Sequence, residues 1–138
     1  MTQQQYYEFG DIQLKLISGA RKSTGVSESS HNLSRIIPQL TDHEVLDIGS
    51  GVGYVSVGAL LRGARKVTAI DIDNVEEIIR KNLKLNKLPQ KKLKFYRSDL
   101  FDKIKKNSKF DVIIANLPQH ALPPAPSIKK LTGKYGGY

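Results

Sequence analysis

The sequence predicts an α/β fold built on an open, doubly wound parallel sheet. Two observations carry that expectation. Four apolar, β-branched runs alternate along the chain with stretches of helical periodicity. The first run ends in an acidic residue and a glycine-rich turn, Val45-Leu-Asp-Ile-Gly-Ser-Gly-Val-Gly53, which leads into a helical stretch.

The runs are 44–48, 66–71, 93–96 and 110–115. The first, second and fourth are nearly continuous in apolar character, as strands covered on both faces are. The third alternates Leu93 and Phe95 with Lys94 and Tyr96 and so predicts an edge strand with one wetter face. The order 3-2-1-4 follows, with the ligand crevice between the first and fourth strands. A helix is predicted over 54–62, stopped by Gly63. Asp73 and Glu76 have capping-box spacing, after which Val75, Ile78, Ile79 and Leu83 share one helical face. A short helix is read over 101–106. Upstream, a helix over 30–40 places Leu33, Ile36, Ile37 and Leu40 on one side. The expected organisation is an N-terminal flanking segment and helix (1–40), a core (41–119) and a proline- and glycine-rich loop (120–138).

Composition sets the outer limits. A chain of 138 residues fits one domain, and 39% apolar with 25% charged residues excludes wholesale disorder. The absence of cysteine excludes disulfides, thiolate metal sites and a cysteine nucleophile. No apolar run approaches the roughly 20 residues that span a bilayer. The segment MTQQQYYEFG lacks the charged head and apolar core of a signal peptide, so a cytoplasmic location without membrane attachment is expected. The net charge of +9 is concentrated: Arg80 to Lys109 carries twelve basic residues against Asp99 and Asp102, and the remainder is close to neutral.

The glycine turn is the sharpest chemical signal. Gly49, Gly51 and Gly53, with Ser50 between them, let the backbone turn tightly and let a ligand touch it. A dinucleotide fingerprint spaces its third glycine one residue later. Here Asp47 precedes a shorter turn, which suits a ligand with a cationic amino group and no pyrophosphate. The spacing therefore points away from NAD and towards S-adenosylmethionine. An ordinary strand–turn–helix is the plain alternative. Asp71, with Ile72 beside it, ends the next strand roughly 20 residues on, where a carboxylate can accept from both ribose hydroxyls. Its alternative is a helix cap, a role that Asp73 suits better by spacing. Ser98-Asp99-Leu100 follows the third strand, where Asp99 can accept from an adenine amine or stand as a solvated loop residue. Asn116-Leu117-Pro118-Gln119 follows the fourth strand. It presents either an amide and carbonyls to an incoming nucleophile or a simple proline turn.

With these residues in place, the segment from about Gly25 to Gln119 resembles a class I S-adenosylmethionine-dependent methyltransferase of Rossmann-like fold. The similarity is greatest to the group containing the protein-glutamine N5-methyltransferases and other amino-group methyltransferases. Asp47, Gly49, Gly51 and Gly53 match the cofactor loop and Asp71 the ribose acid. Asn82 and Asn86 match a helix with paired asparagines, and Asn116 to Gln119 align with Asn-Pro-Pro-Tyr. Asn116 and Pro118 are kept there, whereas Leu117 and Gln119 replace a proline and the aromatic.

The resemblance implies S-adenosylmethionine as cofactor and S-adenosylhomocysteine as product, with methyl transfer to a nitrogen of a protein or nucleic-acid acceptor. Asn116, Leu117 and Pro118 would form the catalytic group. No metal is implied, and His31, His43 and His120 are scattered; His120, near the acceptor loop, reads as a loop histidine or a base. The family sheet has seven strands ordered 3-2-1-4-5-7-6, of which four are visible, so the chain reads as an incomplete version. The fourth strand would then pair with a missing C-terminal half or with another chain. A non-catalytic module that binds the cofactor or a partner is the alternative, and a NAD-dependent oxidoreductase a distant third. The basic block falls mainly at the end of the sheet opposite the ligand crevice. That favours a solvated, edge-blocking role, with a peripheral RNA contact as the other reading.

Overall fold

The computed structural model describes residues 4–17 and 26–116. Gly25, Leu117, Pro118, Gln119, His120 and the 120–138 loop lie outside the described residues. In chain order the elements are β1 (Gln4–Phe9), β2 (Ile12–Ile17), α1 (Glu28–Ile36), β3 (Glu44–Ile48), α2 (Tyr54–Leu61), β4 (Lys66–Asp71), α3 (Glu76–Leu85), a 3-10 turn (Gln90–Lys92), β5 (Leu93–Arg97) and β6 (Val112–Ala115).

Four parallel strands form the sheet in the order β5-β4-β3-β6, as the sequence predicts. Because side chains alternate along a strand, the sheet feeds two cores. Val45, Val67, Ala69, Leu93 and Ile114 join Val55, Val57, Ile79 and Leu83 of the helices. Leu46, Ile48 and Ile70 point the other way, where Tyr96, Ile104 and Phe110 cover them. The 98–110 segment that supplies this cover consists of successive turns, with Asp102 N–H donating to Asp99 and Ile104 N–H to Phe101. The helix expected over 101–106 does not form.

Helix ends follow their chemistry with two corrections. Gly63, at φ +95°, closes α2: its N–H donates to the Leu60 carbonyl at 3.1 Å and that of Ala64 to Ala59 at 3.0 Å, a Schellman motif. α1 is capped by Ser27, whose hydroxyl accepts from Ser30 N–H, and stops at Ile36, short of the expected Leu40. Pro38 forces Ile37 into extended backbone (φ −75°, ψ 120°), so Ile36 is 75% exposed and leaves the core. The second correction is the start of α3, which begins at Glu76 behind Val75, two residues beyond the expected cap at Asp73. The Asp73 N–H donates to Asp71 Oδ1 at 2.9 Å, which ties the segment before α3 to the end of β4.

An antiparallel hairpin, β1–β2, stands where the sequence reading placed only a flanking segment. Its two-residue turn, Gly10-Asp11, has the glycine at φ +59°, which matches the twist of the strands. Phe9, Leu14 and Leu16 are fully buried against the helices. Phe9 lies on Gly58 of α2, where a Cβ would overlap its ring. A glycine inside a helix costs about 1 kcal/mol relative to alanine, and close approach of the hairpin is what it permits here.

β6 is an edge among the described residues. Only Ile114 of this strand is buried, and Ile113 is 57% exposed, so the expectation of a strand covered on both faces is not met within this part of the chain. At the other edge, Lys94 and Arg97 of β5 face solvent. Ion pairs in the basic block reach acids outside it, Arg80 to Glu76 and Lys81 to Glu77.

Candidate functional site

β3 and β4 run in register with Ile48 opposite Ile70, so Gly49 and Asp71 leave the sheet at the same end. The N–H groups of Gly49 and Ser50 both donate to the Ile70 carbonyl, at 2.9 and 3.1 Å, and carry the ladder into the turn. Ser50 Oγ sits 3.0 Å from the Asp47 carbonyl and 3.1 Å from that of Ile70. The turn then closes with Gly53 N–H on the Ser50 carbonyl at 2.8 Å.

The glycines do different work. Gly51 has φ +54°, and a Cβ placed there would meet nothing within 4 Å. Its N–H donates to Asp71 Oδ2 at 2.9 Å. At Gly53 (φ +95°) a Cβ would come within 3.1 Å of Ile79 Cγ2, so this glycine lets α2 start against α3. Gly51 faces open space, and Gly53 faces the core.

Asp47 is 1% exposed, beneath the turn. Ser56 Oγ donates to its Oδ2 at 2.6 Å. Burial, with a smaller contribution from the charge of Asp71, raises its pKa to about 6 against the bonds from Ser56 and Ser50. The sequence reading put Asp47 at the ligand; in the structure its carboxylate is buried, with Ser56 of α2 and Ser50 of the turn as its partners.

Asp71 is half-buried, each carboxylate oxygen accepting one backbone N–H. A carboxylate has about four lone-pair sites, so capacity for two hydroxyl donors is left. Ser98 N–H donates to the Asp71 carbonyl at 2.8 Å and brings the end of β5 alongside. Ser98 Oγ donates to the Leu100 carbonyl at 2.8 Å and accepts from Lys103 N–H at 3.0 Å, and Leu100 takes φ +54°. Asp99 is exposed, as are the apolar side chains of Leu100 (48%) and Ile72 (65%). The structure thus gathers Gly49, Ser50, Gly51, Asp71, Ile72, Asp99 and Leu100 at one end of the sheet.

Asn116 follows β6 at that same end, its N–H donating to the Ile48 carbonyl at 3.3 Å. Its Nδ2 donates to Ser30 Oγ in the first turn of α1, and Ser30 Oγ lies 3.0 Å from Ser27 Oγ. Sequence reasoning missed Ser30. In the sequence Ser30 is only the start of the helix read over 30–40, and the topology brings that end of α1 beside β6. Among the described residues no group of three His, Cys, Asp or Glu side chains could hold a metal ion. What the site offers is a carboxylate for hydroxyl donors, exposed apolar side chains for a flat ring and a glycine backbone that can be approached closely. Those groups fit a nucleoside.

The family described as ribosomal protein L11 methyltransferase (PrmA) matches residues 28–136. A ribosomal protein L11 methyltransferase of Ruminiclostridium cellulolyticum is 34% identical over 110 residues, covering 78% of this chain and 34% of the relative. A Methanocaldococcus jannaschii protein named provisionally as a protein N5-glutamine methyltransferase is 33% identical over 93 residues, covering 67% of this chain and 45% of its own. In fold, the T. thermophilus 16S rRNA N2 G1207 methyltransferase, solved with AdoMet and guanosine, superposes with a TM-score of 0.72 at 21% identity, covering 88% of this chain and 34% of that one. The chain spans between a third and a half of the length of these proteins. With that family model matching most of its length, the chain belongs to the ribosomal protein L11 methyltransferase family.

Proposed function

We propose that this chain binds S-adenosylmethionine over the turn from Gly49 to Gly53 and directs its methyl group to a nitrogen of a protein or RNA acceptor. The observation that carries the reading is the Asp71 carboxylate bonded to Gly51 N–H at 2.9 Å beside open space above Gly51. In this reading Asp71 accepts the ribose hydroxyls, and Ile72 and Leu100 border the adenine, with Asp99 accepting from its amine. Gly49, Ser50 and Gly51 let the aminoacyl part lie on the backbone. Asp47 and Gly53 shape the turn from below.

The bound cofactor supplies a methyl carbon on a sulfonium, which leaves as a neutral thioether when nitrogen attacks in line. What the chain adds is position, and well-oriented reactants gain effective molarities on the order of 10⁵–10⁸ M. Asn116 gives its Nδ2 to Ser30, which leaves Oδ1 as the end that accepts from the attacking nitrogen. In the resemblance, the Leu117 carbonyl and the Pro118 turn complete that cradle. The nitrogen loses its proton to solvent after the transfer.

A relative named for ribosomal protein L11 and another named for glutamine N5 support a protein nitrogen within this class. A cytoplasmic setting accords with acceptors of the translation machinery. Incubating the protein and methyl-labelled S-adenosylmethionine with cell extract, then sorting labelled protein from labelled RNA, tests the reading. Label in neither, with S-adenosylhomocysteine failing to bind in calorimetry, would sink it.

A further inference from the structure

Asn82 and Asn86, one turn apart on α3, grip the hairpin as a neighbouring strand would. Asn82 Oδ1 accepts from Ile17 N–H at 2.7 Å while its Nδ2 donates to the Ile17 carbonyl at 3.1 Å. Asn86 repeats the pattern two residues along β2. Its Oδ1 accepts from Lys15 N–H at 2.9 Å and its Nδ2 donates to the Lys15 carbonyl at 2.7 Å. Successive outward-facing backbone pairs on an edge strand recur every two residues, and residues four apart on a helix lie one above the other. The two spacings match closely enough for one helix face to replace a strand edge.

Asn82 does one thing more. Its Nδ2 also donates to the carbonyl of Val52, inside the glycine turn, at 2.8 Å, and the side chain is wholly buried. One amide group therefore holds the hairpin with a pair of bonds and the turn with a single bond. A second tie runs in parallel: the Tyr54 hydroxyl, on the first residue of α2, donates to the Glu8 carbonyl of β1, and the Phe9 ring lies 5.2 Å from that of Tyr54.

We infer that the hairpin is a positioning element for the glycine turn, coupled to it through Asn82, and that releasing the hairpin loosens the turn and weakens the nucleoside ligand it holds. Asn82 and Asn86 are positioning residues; neither lies where ligand would touch it. The choice of ligand rests on the cofactor reading above, whereas the coupling does not.

Asn86→Ala separates the two, because Asn86 bonds to Lys15 of the hairpin and to the Asn82 main-chain carbonyl but makes no hydrogen bond to the turn. Hydrogen exchange at the Gly51, Val52 and Gly53 amides should quicken about fivefold or more, in the usual range of coupling between sites. Affinity for S-adenosylhomocysteine should fall in the same variant, because the ligand needs the closed turn. Ile104→Ala, on the opposite face of the sheet, controls for general loss of stability. Matched to Asn86→Ala in melting temperature, it should leave the turn protected. Unchanged exchange at the turn in Asn86→Ala, or equal exchange in both variants, overturns the inference. If the unmodified chain binds no S-adenosylhomocysteine, the cofactor reading fails while the exchange result still decides the coupling. Asn86→Asp keeps the acceptor for Lys15 N–H and loses the donor, so it should give an intermediate effect and serves if the alanine variant does not fold.

Discussion

The Asp71 carboxylate and the Gly51 amide meet at 2.9 Å, so the end of β4 is bonded to the turn that follows β3. That single contact sets the distance between the acid and the open face of the glycine backbone. Asp73 N–H, bonded to the other oxygen, fixes the carboxylate plane. Replacing Asp71 by alanine should weaken S-adenosylhomocysteine binding by at least about tenfold, since hydrogen bonds to charged groups contribute about 1.5–3 kcal/mol each. Calorimetry on the folded variant checks it, and wild-type affinity would remove Asp71 from the site.

Substitutions at the two glycines should part company. Gly51→Ala strains a left-handed residue by about 1–2 kcal/mol but meets no neighbour, so the chain should fold and lose ligand affinity because the methyl fills the open face. Gly53→Ala adds a contact at 3.1 Å with Ile79 to the same kind of strain and should lower stability more. Urea melts alongside calorimetry distinguish these outcomes. Equal stability losses would contradict the division of roles.

Asp47 makes stability depend on pH. Its pKa is raised from 3.8 to about 6 in the folded chain, so the folded state holds the proton more tightly than the unfolded state. Its contribution is complete below about pH 3.8 and is lost as pH rises through 6. At about 1.4 kcal/mol per unit, the loss is on the order of 3 kcal/mol. Asp47→Asn has no such dependence. The melting temperature of wild type should therefore fall relative to Asp47→Asn between pH 4 and 7, and parallel curves would show that Asp47 stays ionised.

Ile113 is exposed on β6, which is an edge strand among the described residues, and should make this chain self-associate as its concentration rises, because an apolar edge strand is a template for another chain. Ile113→Lys should reduce the effect in light scattering while leaving the melting temperature close to that of wild type. A wild-type chain that stays monomeric at high concentration would contradict the prediction.

The central strands were legible because burial on both faces demands nearly continuous apolar runs, and Val45 to Ile48 and Val67 to Ile70 supply them locally, interrupted only by Asp47 and Thr68. The glycine turn and Asp71 were legible for a related reason: a left-handed backbone and a carboxylate at a strand end are properties of residue type and spacing. The hairpin was not read, although Gly10-Asp11 between alternating runs is a turn signal. Two of its hydrogen-bonding partners, Asn82 and Asn86, lie some seventy residues away. Nor was the difference between Gly51 and Gly53, which depends on whether Ile79 or open space stands opposite. Sequence alone determined the four strands of the parallel sheet and the chemistry available at their ends, since those follow from local periodicity and conformational preference. Tertiary structure alone decided that Asp47 lies beneath the turn, that Ser30 meets Asn116 and that Asn82 joins the hairpin to the glycine loop. Each of these depends on which distant backbone group a side chain meets once the chain has packed.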